Sequence, residues 1–429
     1  MKAPFAFVLP AVALLLASCT QGELPQSPLL KWLERPSGRI AYVGVDGNVH
    51  TSDQGGGSVR DVTTDATVQE TSDGPSFYYQ FPAWSPDGKS LAFVSVHQGP
   101  QGMGDAAVWT STGSASPVRV YSSADRVPRY LSWSPDSSRL VFTSGPGNEV
   151  RELDTVAARG GDVRTLDSGT GFAWRWESRG GRLAVHSVDM QDQSDVERVR
   201  VLDSLGRVQG IQLSQQPGDF QAPAWSPDGR GVIMAVSDTV GSTLYLADSG
   251  GAAGTALAHV EGSATLELSP DGKHLAWSAR PADGDPGKRS LFILDLPGRS
   301  AVSGAGAPLS PRPLTGDDYV AAFFWSPDGR KIAYFVPSDK DLSLTLKVLT
   351  VRTGAVRAVT TFTPSAYFLG MLVQFGQYAD SVRLWSPDGR FLLYCDAQDQ
   401  GFDVMVAYAD QPISPRKLAD GVMATWSPR

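Results

Sequence analysis

Trp84-Ser-Pro-Asp-Gly88, followed at Leu91-Ala-Phe-Val94 by a short apolar run, is the stretch on which the fold turns. The same five residues begin at Trp225, Trp325 and Trp385. One-residue variants begin at Trp133 (Trp-Ser-Pro-Asp-Ser) and Leu268 (Leu-Ser-Pro-Asp-Gly). Each is followed, seven positions after its first residue, by an apolar strand pattern such as Leu140-Val-Phe, Val232-Ile-Met, Leu275-Ala-Trp, Ile332-Ala-Tyr or Leu392-Leu-Tyr. Ser-Pro-Asp-Gly is turn chemistry. Pro fixes φ at the second turn position, Asp hydrogen-bonds local backbone, and Gly accepts the left-handed conformation. The Trp ends the incoming strand and is large enough to fill the gap between neighbouring sheets. A strand–turn–strand unit at a period of this size denotes a repeat architecture. The turns account for Asp87, Asp136, Asp228, Asp271, Asp328 and Asp388, which are therefore read as structural rather than as ligands or acids.

A worn copy lies at Trp176-Glu-Ser-Arg-Gly-Gly-Arg-Leu183, with the same offset from Trp to Leu. First positions then fall 49, 43, 49, 43, 57 and 60 residues apart, suited to units of four short strands. Ser37-Gly-Arg-Ile40-Ala-Tyr-Val is a second strand without a first, and Ala424-Thr-Trp426-Ser-Pro-Arg429 is a first strand without a second. Together they complete one motif. The expectation is an all-β, eight-bladed β-propeller of four-stranded blades over residues 38–429, its ring closed by the C-terminal strand joining the N-terminal blade. Closure removes exposed sheet edges.

Composition agrees: 45 Gly and 30 Pro in 429 residues suit many turns and few helices. A net charge of −8 disfavours nucleic acid as a partner. Residues 1–18 read as a leader, with Lys2, an apolar run from Phe5 to Leu16, and Leu16-Ala-Ser-Cys19. This resembles a bacterial lipoprotein signal, which implies acylation of Cys19 and a membrane-anchored protein of the bacterial envelope facing the periplasm or exterior. Residues 19–37 would be the anchor and tether, and the bilayer would be held through acylated Cys19. Cys395, the only other cysteine, is read as a buried small hydrophobe.

Trp-Ser-Pro-Asp-Gly followed by Leu/Ile-Ala-Phe/Tyr resembles the repeat of TolB-type β-propellers, which also occurs in the propellers of prolyl-oligopeptidase-like enzymes. The resemblance covers roughly residues 38–429. It implies a periplasmic propeller used as a protein-binding platform. TolB-type proteins carry six blades and a separate N-terminal α/β domain, and no such domain fits between Cys19 and Ile40.

The chain contains no Gly-x-Ser-x-Gly nucleophile elbow and no His-Glu-x-x-His pair among its five His residues. No catalytic residue, metal site or cofactor is expected, and the chain is read as a non-enzyme. The loops entering the Trp strands are aromatic. Tyr78, Tyr79, Tyr130, Trp174, Arg175 and Tyr319 lie there, and Tyr367, Phe368, Phe375 and Tyr378 lie in an apolar insertion between Phe362 and Tyr378, which could dock a partner protein, touch the membrane or fold as a short helix over the channel. Tyr and Trp anchor interfaces because they join apolar area to a polar tip. The expectation is a scaffolding subunit that presents these ten residues to an envelope or membrane protein. Arg126, Arg129 and Arg175, with Asp317, Asp318 and Asp380, would add polar groups around the mouth. The alternative is a small molecule, peptide or glycan held in the central channel, with or without turnover. The two differ in whether the aromatic loops stay free or polar groups converge inside the channel.

Overall fold

A computed structural model describes residues 37–68, 76–99, 102–113, 115–146, 149–189, 196–207, 217–218, 222–237, 241–248, 254–280, 288–296, 310–316, 318–398 and 401–429. The leader, Cys19 and the tether up to residue 36 lie outside these residues, as does Asp317.

The strands follow the repeat. β1 (Arg39–Gly44), β2 (Val49–Asp53) and β3 (Arg60–Asp61) form a meander, followed by β4 (Ser76–Trp84), β5 (Ser90–Gly99), β6 (Gly102–Thr112) and β7 (Val118–Ser123). Next come β8 (Arg129–Trp133), β9 (Arg139–Ser144), β10 (Glu152–Ala157) and β11 (Arg164–Ser168), then β12 (Thr170–Trp176), β13 (Leu183–Asp189) and β14 (Val196–Leu202). β15 (Ala224–Trp225), β16 (Gly231–Ser237) and β17 (Ser242–Asp248) lead into the long β18 (Thr255–Leu268), followed by β19 (His274–Arg280), β20 (Ser290–Asp295) and β21 (Arg312–Pro313). β22 (Ala322–Trp325), β23 (Lys331–Pro337), β24 (Leu344–Thr350) and β25 (Ala355–Phe362) precede two helices, α1 (Ala366–Val373) and α2 (Phe375–Tyr378). β26 (Phe391–Gln398), β27 (Gly401–Tyr408) and β28 (Arg416–Trp426) end the chain. All strand pairs are antiparallel.

The fold is an all-β propeller, but the expectation of eight four-stranded blades is corrected: the ring has seven blades of four strands. They are β28 with β1–β3, β4–β7, β8–β11, β15–β18, β18–β21, β22–β25, and the Trp385–Leu392 bridge with β26–β28. Among the described residues β12, β13 and β14 form a three-stranded sheet. Its repeat is the worn one, in which Glu177-Ser-Arg replaces Ser-Pro-Asp. The stretch where a fourth strand was expected, 208–216, lies outside the described residues. β18 and β28 each serve two blades, the first half ending one and the second half opening the next.

Closure runs as expected. Ile40 pairs with Trp426, Ala41 with Thr425 and Tyr42 with Ala424. The Arg39 amide donates to the Ser427 hydroxyl across 388 positions of sequence (2.8 Å).

The turns act as their sequence predicts. Ser85 Oγ donates to Asp87 Oδ1 at 2.6 Å and accepts from the Ser90 amide, and the Lys89 amide donates to Asp87. The same Ser–Asp bond recurs at Ser134, Ser226, Ser269, Ser326 and Ser386, at 2.6–2.7 Å. Burial pushes these six carboxyls up, but the hydrogen bonds outweigh it and hold them below the usual carboxylate range. Gly88 sits at φ +70°; in the variant turn Ser137 takes φ 61°, a conformation most residues avoid.

Four of the motif Trp residues also bind the neighbouring repeat. The indole N–H of Trp133, Trp225, Trp325 and Trp385 donates to the carbonyl of Ala83, Arg175, Glu267 and Phe324, the residue just before the preceding repeat's first position. The core lies between sheets, with Phe93, Phe142, Phe335, Tyr394, Trp277 and Trp426 fully buried, as is Cys395.

Candidate functional site at the central channel

The insertion after β25 builds the site. Ser365 caps α1, accepting from the Phe368 amide (3.1 Å) while its hydroxyl donates to the Val422 carbonyl on β28 (2.6 Å). α2 and the turn after it cross to the far side of the ring. Gln377 Oε1 accepts from the Trp174 amide on β12, and the Ser381 hydroxyl donates to the Leu131 carbonyl on β8. Phe375 packs on Phe323 and Phe324 of β22, and Tyr378 packs on Phe81 of β4 and Tyr130 of β8, each with ring centroids 5.3 Å away. Phe81 and Tyr130 sit at β-bulges and hold positive φ values of 53° and 55°. A bulge re-aims a side chain, and here both rings meet the same helix. The insertion is therefore a plug across one mouth of the ring.

The ten residues expected to meet a partner are placed differently from one another. Tyr79, Trp174, Phe368, Phe375 and Tyr378 are buried within the chain itself. Tyr78 packs edge-on to Tyr367, and both are half-buried, as is Tyr130. Tyr319 alone of the ten is exposed, at 42%. The aromatic residues hold the plug, because an apolar insertion beside apolar loops finds its first partner in its own chain. Of the rim charges, Arg126 pairs with Glu152 at 2.6 Å, and Asp318 pairs with Lys347 at 2.7 Å and accepts from the Tyr334 hydroxyl.

Beneath the plug lies a cavity of about 990 Å³. Trp225, Trp325, Trp385, Phe324 and Leu384 line its walls, and its rim carries motif residues Pro227, Pro270, Pro327, Pro387 and Pro428. Its floor holds Arg175, Glu267, Asp380 and Arg383. Arg175, expected as a partner contact, instead points inward. It donates to Glu267 at 2.6 Å, Asp380 at 2.8 Å and the Gly376 carbonyl at 3.2 Å, tying β12 and β18 to the plug. The side chains of Arg175 and Glu267 are each only 11% exposed.

Two carboxyl groups share one cation here: Glu267 is only 11% exposed, whereas Asp380 is 43% exposed. Burial, reinforced by the Asp380 charge, pushes the Glu267 carboxyl up to about 7 although Arg175 opposes it. Burial works against the Arg175 charge as well, but Asp380 and Glu267 outweigh it and hold the guanidinium protonated. Arg383 differs. Burial draws its guanidinium below the ordinary value, with only Asp380 opposing. Glu267 and Arg383 were missed in the sequence. A signal existed for the first: of the residues just before the motif's first positions, namely Ala83, Ser132, Arg175, Ala224, Glu267, Phe324, Leu384 and Thr425, only Arg175 and Glu267 are charged. No group of His, Cys, Asp and Glu among the described residues is arranged to hold a metal ion.

No protein-family profile matches the chain. It is 30% identical over 148 residues to dipeptidyl-peptidase 5 of Porphyromonas gingivalis, a match covering 32% of this chain and 20% of that protein. The chain thus spans about a fifth of the length of that relative. Among solved structures it is similar to oligogalacturonate lyase from Vibrio parahaemolyticus, with a TM-score of 0.53 and 14% identity over 88% of this chain and all of the other. TolB from Acinetobacter baumannii is also a neighbour, at a TM-score of 0.40 and 15% identity, covering 85% of this chain and 82% of TolB. The likeness to the lyase, whose TM-score exceeds 0.5, agrees with the β-propeller fold. The similar proteins include one named as a peptidase and one named as a lyase.

Proposed function

We propose that the protein binds a small ligand, of peptide or glycan size, at the plugged end of its central channel. The observation that carries this reading is the convergence of Arg175, Glu267, Asp380 and Arg383 on the floor of one cavity whose walls are aromatic. A concave, mostly apolar site with a few convergent polar groups, one of them titrating far from its ordinary range, is the physical pattern of a ligand site. The burial of Phe368, Phe375 and Tyr378 in the plug removes the main support for a scaffold built on those rings. Glu267 lies where a bound ligand would exchange a proton with it, so turnover belongs to the same reading. The peptidase and lyase names among the similar proteins are compatible with that.

The test is a thermal-shift and tryptophan-fluorescence screen of the whole chain against short peptides and oligosaccharides. Trp225, Trp325 and Trp385 are the reporters. At least one class is expected to raise the melting temperature, and Ala379→Trp, which fills the floor, is expected to abolish that shift. Ligands that bind the Ala379→Trp variant as well as the parent would place binding elsewhere and refute the channel.

A further inference from the structure

The floor of the cavity is unevenly compensated. Its two acids, Glu267 and Asp380, are both engaged by Arg175. Arg383 makes no ion pair within 4 Å among the described residues. Its guanidinium has one hydrogen bond, a long one of 3.4 Å from Nη1 to the Trp84 carbonyl. Its backbone, by contrast, is fixed on both sides: the Arg383 amide donates to Thr425 Oγ1 (2.9 Å), and its carbonyl accepts from the Trp426 amide (2.8 Å). The chain thus holds this residue firmly and leaves its cation facing the cavity between Val382 and Leu384.

Arg383 is partly buried and has no carboxylate within ion-pair distance among the described residues; withdrawing a cation from water without a direct partner costs free energy, and such groups are ordinarily paired. The guanidinium fork suits a planar, two-oxygen anion. We infer that the channel takes a ligand by its carboxylate, with Arg383 as the anchor and the aromatic walls holding an apolar or ring-shaped body. This rests on the channel reading above. With Glu267 carrying its proton, Arg175 and Asp380 cancel and the floor keeps the single positive charge of Arg383, which favours an anion further. Two sources offer this chemistry: the C-terminal carboxylate of a short peptide and the carboxylate of a uronic acid.

Matched probes separate them. The whole chain is titrated calorimetrically with N-acetyl-Phe-Ala and its C-terminal amide, and with glucuronate and glucose. In one pair the acid is expected to bind at least tenfold more tightly than its neutral partner, and the pair that shows this names the source. Arg383→Gln is expected to erase that difference and Arg383→Lys to keep part of it. The comparison within the parent protein needs no variant and so survives a folding defect in either one. If acid and neutral probes bind alike, or if a folded Arg383→Gln keeps the tenfold preference, the carboxylate anchor is wrong while the channel reading stands. If no probe of either pair binds at millimolar concentration, both fall.

Discussion

At the scale of single residues the site rests on a shared cation. Arg175 faces two carboxyls, and burial leaves Glu267 holding its proton up to about pH 7. The ordinary carboxyl value is 4.5, so between that value and about 7 the folded chain binds this proton and the unfolded chain does not. Stability from this group is therefore complete below about pH 4.5 and is lost as pH rises through about 7. Glu267→Gln imitates the protonated form. Its melting temperature is expected to match the parent near pH 5 and to exceed it near pH 8, read from melting curves across that range. A variant that loses ground to the parent as pH rises would show an ordinary ionised salt bridge instead. The sequence disclosed half of this cluster. Arg175 is visible in sequence as part of an aromatic loop, which suggests a place on the rim rather than on the floor. Glu267 precedes Leu268, the one repeat whose first position is not Trp, and so escaped notice. Asp380 and Arg383 reach the floor only because the plug folds back, which no local spacing records.

At the scale of elements the plug and the blades behave differently. The blade strands were legible because period-two alternation and the Ser-Pro-Asp-Gly turn recur, and each Ser–Asp bond appears where the motif requires it. A short helix over the channel is only one of three readings the insertion allows, since Ala366-Tyr-Phe-Leu-Gly-Met-Leu-Val373 is apolar on nearly every side and shows no polar stripe from which helical period is read. Its faces are nevertheless distinct in the structure. Phe368, Met371 and Leu372 are buried, while Val373 is 74% exposed and Leu369 is 37% exposed. Phe368 packs against Phe335 and Phe362 with centroids 5.8 and 6.0 Å away. Phe368→Ala is expected to destabilise by about 3–5 kcal/mol. Val373→Ser should change stability by under about 0.5 kcal/mol. Urea midpoints of the two variants decide it, and equal losses would mean that the helix does not sit in the ring as described.

At the scale of the whole molecule the decisive element is β28. It ends one blade with its first half and opens the next with its second, so the ring closes through one continuous strand. Sequence revealed the closure, because a first strand without a second at Trp426 and a second without a first at Ile40 fit together. It overcounted the four-stranded blades, because the offset from Trp176 to Leu183 survives in a repeat whose turn does not. Thr425→Pro would remove the amide that pairs opposite Ala41 and force a bend into the closing strand. It is expected to cost about 3 kcal/mol or more and to free the segment around β1 for limited proteolysis, while blades on the opposite side keep their protection. Protection of β1 equal to that of the parent would show that closure does not depend on β28.

The pairing of Ile40 with Trp426 also sets an order in time. On a ribosome, β1 emerges among the first strands and its partner only after nearly all other strands have been made. Entropy is not the obstacle, because the cost of closing a loop rises only slowly with its length. Exposure is. Until Trp426 appears, β1 offers an unpaired edge, the kind of surface on which nascent chains join one another. The strand that covers this edge thus arrives after the other described blade strands, and shielding β1 during synthesis becomes a requirement of the topology itself.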